Sequence, residues 1–335
     1  MSTKILSVAL VGLEAAQVEV EAGITPSLTA FTIVGLPDTA VQEARERVRL
    51  AIRNSGMDFP PMKITFNLAP ADLKKEGPGY DLPVALSVLL ASEELKPAAG
   101  LGPKFFERFL FLGELALDGR LRSVSGILPA ALFAARAGLE GIFVPVQNAA
   151  EAALVKEIKV YPVYDLRQLI EHIRQEQTIE SIAPTDIKYI PNSTEVDMAY
   201  IAGQEHAKRA LMIAAAGHHN MLMSGPPGSG KTLLARATAG ILPRPSFDEM
   251  IDITRIYSVA GLLPPNTPLI THRPYRAPHH SASSAALVGG GSTPKPGEIT
   301  LAHRGVLFLD EVVEFHRDVL EALREPLESG AVTIS

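Results

Sequence analysis

The sequence predicts an α/β protein of two domains, and three observations carry that prediction. Segments with period-two apolar patterning alternate with segments at helical spacing from residue 4 to residue 175. A polar stretch with two prolines and little periodicity, 174–197, then interrupts the alternation as a linker would. Beyond it, Gly225-Pro226-Pro227-Gly228-Ser229-Gly230-Lys231-Thr232 sits between a short apolar strand pattern and a helical pattern. At 335 residues, 47% apolar and 20% charged, each half can bury a core, which excludes a disordered chain. The expected domains are 1–173 and 198–335.

Residues 4–34 alternate most clearly in Gln17-Val18-Glu19-Val20-Glu21 and in Leu28–Val34, a strand-rich opening. Asp38 is placed to cap a helix over 39–54, whose Val41, Ala44, Val48, Ala51 and Ile52 share one face before Gly56. A strand at Lys63–Leu68 and a helix over about 82–94 follow. Strands are next expected at Phe109–Leu115, Gly141–Pro145 and Lys159–Val163, with helices at 126–137, 147–155 and 165–175. In the second half a helix over about 204–216 leads to a strand at Met221–Ser224, then a helix at Leu233–Leu242.

There are no cysteines, so disulfides, thiolate metal sites and cysteine nucleophiles are all excluded. The longest apolar candidate for a bilayer span, Leu82–Ala91, is too short and reads as a buried helix, so no membrane partner is expected and the expected location is the cytosol. With a net charge of −6, any contact with nucleic acid has to use a local patch or an assembled ring.

The glycine-rich loop is the strongest chemical signal. Its glycines let successive backbone N–H groups face one anion, and the helix that follows adds the positive end of its dipole. Lys231 is expected to reach the β- and γ-phosphates, the Thr232 hydroxyl to coordinate Mg²⁺, and Leu233 to complete the cradle. In a chain this long the pattern arises by chance roughly one time in a hundred, before its strand and helix context is counted. The partner segment is Val306-Leu307-Phe308-Leu309-Asp310-Glu311, a buried parallel strand whose C-terminal end faces the ligand. Asp310 is expected to hold Mg²⁺ through its water shell, and Glu311 to polarise the attacking water. A lone apolar run ending in Asp-Glu is as often an ordinary strand and polar turn; the upstream loop tips the reading.

Further segments surround these two: Ile201-x-Gly203-Gln204-Glu205-x-Ala207-Lys208-Arg209-Ala210-Leu211, then Arg273-Pro274-Tyr275-Arg276-Ala277-Pro278-His279-His280-Ser281, then Pro296-Gly297-Glu298-Ile299-x-Leu301-Ala302-His303. On these residues the chain from 200 to 335 resembles the magnesium-chelatase-like branch of the AAA+ ATPases. The whole arrangement resembles the ComM/YifB family within that branch. The resemblance implies ATP and Mg²⁺ as cofactors and the segment Ile201–Gln204 near the adenine. It implies a hexameric ring, with DNA as the partner in branch migration during natural transformation. It also implies a pore loop at Ala285–Pro296, against the blander reading of a plain flexible surface loop. A porphyrin-magnesium insertion subunit and a nucleotide-switched scaffold remain alternatives.

The first half resembles the C-terminal domain of Lon-type proteases, a ribosomal S5-like α/β fold. In that likeness Gly79 stands where the nucleophilic serine belongs and Leu128 where the lysine base belongs, so no serine–lysine dyad is available and peptidase activity is not expected. The resemblance further implies a polar sensor, an arginine finger and a helical lid beyond Ser335. An arginine finger is worth a factor of about 10³–10⁵ in turnover, so this chain alone is expected to bind nucleotide weakly, hydrolyse it poorly and close no stable ring. Adjacent His279 and His280 in an extended segment are expected on opposite faces, without zinc-type spacing. Arg273, Arg276, Arg304 and Arg324 are candidates for phosphate or neighbour-subunit contacts, against the blander reading of salt-bridged surface arginines; Arg324 is expected to end a short amphipathic helix, Asp318–Arg324, just before Pro326.

Overall fold

The computed structural model describes residues 4–186, 196–290 and 295–330. Two compact units divide the chain, the first built on Met1–Asp186 and the second on Ile187–Leu263 and Leu269–Ser335.

In the first unit, β1 (Ile5–Val11), β2 (Glu14–Thr25) and β3 (Ala30–Val34) lead into α1 (Thr39–Asn54) and β4 (Lys63–Ala69). There follow α2 (Asp81–Ala91), β5 (Phe109–Phe111), β6 (Glu114–Leu115), β7 (Leu121–Arg122) and α3 (Ile127–Arg136). The unit closes with β8 (Gly141–Pro145), α4 (Val146–Ala152), β9 (Lys159–Val163) and α5 (Leu166–Ile173). Seven strands form one mixed sheet in the order β3-β4-β2-β1-β5-β8-β9. The β1–β2 and β2–β4 pairs are antiparallel, while β5, β8 and β9 run parallel. β5 and β8 are buried throughout while the edge strand β9 is partly exposed, and Phe111, Phe143 and Tyr161 stack across the three at centroid separations of 4.9 and 4.6 Å.

The start of α1 follows its sequence signal: the Asp38 carboxylate accepts from Val41 N at 2.8 Å and from Gly77 N at 2.9 Å. Its apolar face, Val41 through Ile52, is fully buried. Helix α2 is apolar all round because it is buried all round, and Glu93 in the left-handed region ends the turn after it, short of residue 94.

The expected strand Phe109–Leu115 is two strands. The chain leaves the sheet after Phe111 because Gly113 turns its amide to Gly79 O (3.0 Å) and its carbonyl to Leu82 N (3.1 Å). The expected linker 174–197 begins as part of the first unit: Ile179 is buried in its core and Ile182 bridges to Val160. Residues 187–195 of that linker lie outside the described residues.

The second unit contains α6 (Glu205–Gly217), α7 (Lys231–Ile241), α8 (Phe247–Ala260), β10 (Tyr275–Arg276) and α9 (Ser284–Val288). It continues through β11 (Gly289–Gly290), β12 (Lys295–Pro296), α10 (Glu298–Leu301), β13 (Val306–Leu307), α11 (Arg317–Ala322) and α12 (Arg324–Ser329). Three expectations change here. Met221–Ser224 forms no ladder, and Leu222 is 84% exposed, because no described backbone runs alongside to pair with it. The Val306–Leu309 strand does run parallel to β10, but its ladder covers only Val306 and Leu307 and its side chains are half-buried. The helix expected over 318–324 ends at Ala322. Arg324 instead opens α12, where Pro326 falls in the first turn and its missing N–H costs nothing. The glycine-rich stretch is structured where described: β11 and β12 form a hairpin, and Leu287 just before it is fully buried with Phe315, Val319 and Leu323. Residues 291–294 of that stretch lie outside the described residues.

Candidate nucleotide site

The loop before α7 curls because Gly228 and Gly230 take φ of 77° and 85°, where a side chain is strained. Gly230 is the N-cap of α7 and supplies no side-chain cap. The first N–H groups of α7 have no intrahelical acceptor, and the helix dipole adds positive character there. A Cβ at Gly225 would lie 3.1 Å from Ser229 Oγ, so the loop closes tightly over that hydroxyl. Ser229 Oγ is buried and, among the described residues, has no hydrogen-bond partner. Lys231 Nζ folds back onto the loop, donating to Gly225 O at 2.9 Å and Pro226 O at 3.1 Å.

Residues 78 apart in sequence meet at the foot of this loop: Thr232 Oγ1 donates to Asp310 Oδ2 at 3.2 Å. Asp310 also accepts from Glu311 N at 3.1 Å through its other oxygen, which fixes the carboxylate plane. Glu311 stands in the left-handed region with φ 52° and is exposed. His280 Nδ1 lies 3.8 Å from Glu311 Oε2. This neighbour was missed by sequence reasoning, yet the register explains it. Arg276 pairs with Leu307 in the parallel ladder, and four residues further along each chain stand His280 and Glu311. The His279 and His280 rings lie 4.0 Å apart, so the expectation of opposite faces fails: the chain bends here, with Ser281 N reaching His279 Nδ1 at 3.3 Å.

The residues present fit a magnesium–nucleoside triphosphate. A helix start without a cap, an unpartnered buried hydroxyl, an ammonium resting on carbonyls and a hydroxyl–carboxylate pair converge on one loop. Of the two residues expected near the adenine, Gln204 reaches the loop, its Nε2 donating to Ser229 O at 3.2 Å. Ile201 is buried in the cluster formed with Leu211, Leu234 and Ala237, so it anchors the 201–204 segment against α7. Leu233 is exposed beside Thr232, whereas Leu234 is buried.

The arginine candidates are largely committed elsewhere. Arg273 is buried and donates to Pro243 O, Arg304 O and Glu249, so it ties the unit together and leaves no group for a phosphate. Arg276 is forked on Glu298 with both distances 2.6 Å, and Arg304 lies 3.5 Å from Glu249. Arg324 is exposed and pairs with Glu328 one turn on. Burial pushes the His272 and His303 imidazoles down, towards the neutral form. No cluster of metal-ligating side chains occurs among the described residues. In the first unit Leu128 is wholly buried and its N–H donates to Glu151 Oε1 at 2.8 Å, while Gly79 lines a cavity of about 370 Å³. No described helix is long and apolar enough to cross a membrane.

Comparison with known families agrees with this geometry. The family model "Magnesium chelatase, subunit ChlI" matches residues 197–335, and "Subunit ChlI of Mg-chelatase" matches residues 20–148. The chain is 44% identical over 339 residues to the "Competence protein ComM" of Haemophilus influenzae, covering 99% of this chain and 64% of that protein. It is 46% identical over 331 residues to YifB of Salmonella typhimurium, covering 98% of this chain and 63% of that protein. "Lon protease 2" of Bacillus subtilis is 28% identical over 174 residues, covering 49% of this chain and 30% of that protein. The chain thus spans 64% of the length of the ComM relative and 63% of the YifB relative. With both halves matched and near-complete coverage at this identity, the chain belongs to the ComM/YifB family of magnesium-chelatase-like AAA+ proteins.

Proposed function

We propose that this chain carries the nucleotide-binding part of a cytosolic, ring-forming ATPase that remodels DNA. The observation that carries the ATPase reading is the 3.2 Å contact between Thr232 Oγ1 and Asp310 Oδ2, two oxygens of the kind that ligate magnesium, meeting at the mouth of the glycine loop. Bound Mg²⁺ would neutralise phosphate charge as the terminal phosphoryl group leaves. Lys231 leaves its carbonyl partners to carry its charge to the phosphate oxygens. The loop amides fix their position, and Glu311 accepts the proton of the attacking water. His280 beside Glu311 supplies a hydrogen-bonding group able to hold that carboxylate in place. Support for DNA as the partner comes from the relatives, one of which is called a competence protein.

A second reading, an ATPase subunit of magnesium insertion into porphyrin, is favoured by the descriptions of both matching family models. One experiment separates the two. ATP hydrolysis by the full-length protein is measured with and without branched DNA, with Lys231→Ala as the blank. DNA-stimulated turnover that the blank lacks is the expected result. Turnover indifferent to DNA but driving magnesium into porphyrin with partner subunits would replace the first reading by the second.

A further inference from the structure

The outer face of α1 has no structural account so far. Its inner face is spent on the core, and Arg47 at its side is spent on Asp81. Among the residues left outside the core, which include Glu43, Glu46 and Leu50, Arg45, Arg49 and Arg53 recur every four residues and therefore form one row, about 6 Å from each to the next along the helix axis. Like charges at this spacing destabilise a helix. Yet among the described residues no carboxylate comes within 4.0 Å of Arg49 or Arg53, and Arg45 has only Glu46 at 3.5 Å. All three arginines line a cleft of about 90 Å³. The half-buried rings of Phe59 and of Phe31, which packs on Phe66 at 4.6 Å, line the same cleft with Pro60 and Pro61, and Thr29 Oγ1 donates to Pro61 O at 3.2 Å. This concentration of positive charge sits in a chain whose net charge is −6.

We propose that this arginine-lined cleft on α1 of the first unit is a binding track for the phosphate backbone of single-stranded nucleic acid. The inference rests on the DNA reading above and assigns the contact to particular residues. Guanidinium groups fork onto phosphate oxygens, and a bound backbone relieves the repulsion within the row. Rings beside a basic groove suit unpaired bases, which present a face for stacking that a duplex keeps inside. An acidic peptide would use the charge but not the rings.

The test uses a fluorescein-labelled oligothymidine and the full-length protein in the Lys231→Ala background, so that nucleotide-driven changes play no part. Binding is followed by anisotropy across a salt series. The triple variant Arg45→Gln/Arg49→Gln/Arg53→Gln is expected to bind at least tenfold more weakly. At about 0.7 per phosphate contact on single strands, its slope of log affinity against log salt should be shallower by roughly 2. Arg→Lys at the same three positions should recover part of both, which a misfolded variant would not. A glutamine variant binding with unchanged affinity and slope, beside a Lys231→Ala parent that binds, overturns this inference alone. Absence of oligonucleotide binding both by that parent and by the wild type with ATP overturns both it and the DNA reading. Equal loss in the lysine and glutamine variants, or loss of self-assembly in place of DNA binding, also overturns it and points to a protein partner.

Discussion

At the scale of single residues, the roles proposed for Thr232, Asp310 and Glu311 differ, and they separate in measurement on the full-length protein. Thr232→Val keeps the volume and removes the oxygen that touches Asp310. Binding of a fluorescent ADP analogue should fall about tenfold or more with magnesium and change little without it. An equal fall in both conditions would make Thr232 a packing residue. Glu311→Gln keeps the shape and removes the base, so nucleotide should still bind while turnover drops about 10²–10⁴-fold. Retention of turnover would assign the proton to another group. The meeting of Thr232 and Asp310 beside the glycine loop was legible in the sequence, because the expectation rests on residue type at fixed spacing from that loop. His280 was not, since its position beside Glu311 follows from the pairing of β10 with β13, and pairing is not written in local spacing. The salt bridge of Arg273 was among the expected readings but its burial was not, for a similar reason: its four acceptors lie 24 to 31 residues away in sequence.

At the scale of elements, Asp310 is positioned by a ladder of two residue pairs, so a small disturbance there should reach the site. Gly305 precedes β13, and a Cβ on it would lie well inside contact distance of the Pro274 backbone. Neither partner is a flexible side-chain end, so the strands must separate. Gly305→Ala is expected to cost about 1–3 kcal/mol of second-unit stability and to weaken magnesium-dependent nucleotide binding. Hydrogen exchange in α8 and α10 checks the first, and the ADP analogue the second. Unchanged exchange together with unchanged affinity would show that β13 tolerates displacement. Helices were the most legible elements: α1 begins at its Asp38 cap and buries the face that its spacing marks. Strands were less so. Phe109–Leu115 is apolar enough for one strand, but Gly113 diverts the backbone to Gly79 and Leu82. Met221–Ser224 has the composition of a strand without a partner among the described residues, and composition alone makes no ladder.

At the scale of the molecule, the division into units was legible from where periodicity stops, while the end of the first unit was not. Two isoleucines, Ile179 and Ile182, hold residues inside the polar stretch 174–197 onto its core and sheet. That same core encloses a charge. Asp81 is fully buried, forked by Arg47 at 2.7 and 3.1 Å, and accepts from Leu115 N at 3.1 Å. Burial pushes its carboxyl up to about 6, outweighing the Arg47 and Leu115 contacts that pull it down, while the same pairing raises the Arg47 guanidinium. A carboxyl whose folded pKa exceeds its unfolded value holds its proton more tightly when folded. Its stabilising contribution is fully present below about pH 4 and is lost as pH rises through 6. A shift of about two units corresponds to at most about 2–3 kcal/mol. Native-state hydrogen exchange of the α2 amides, measured between pH 4 and 7 and corrected for intrinsic exchange, should show wild-type protection gaining on Asp81→Asn as the pH falls. Other titrating groups act on both proteins alike and cancel in the difference. A difference curve that is flat, or that runs the other way, would mean the Arg47 fork dominates and the Asp81 carboxylate is held charged in the core.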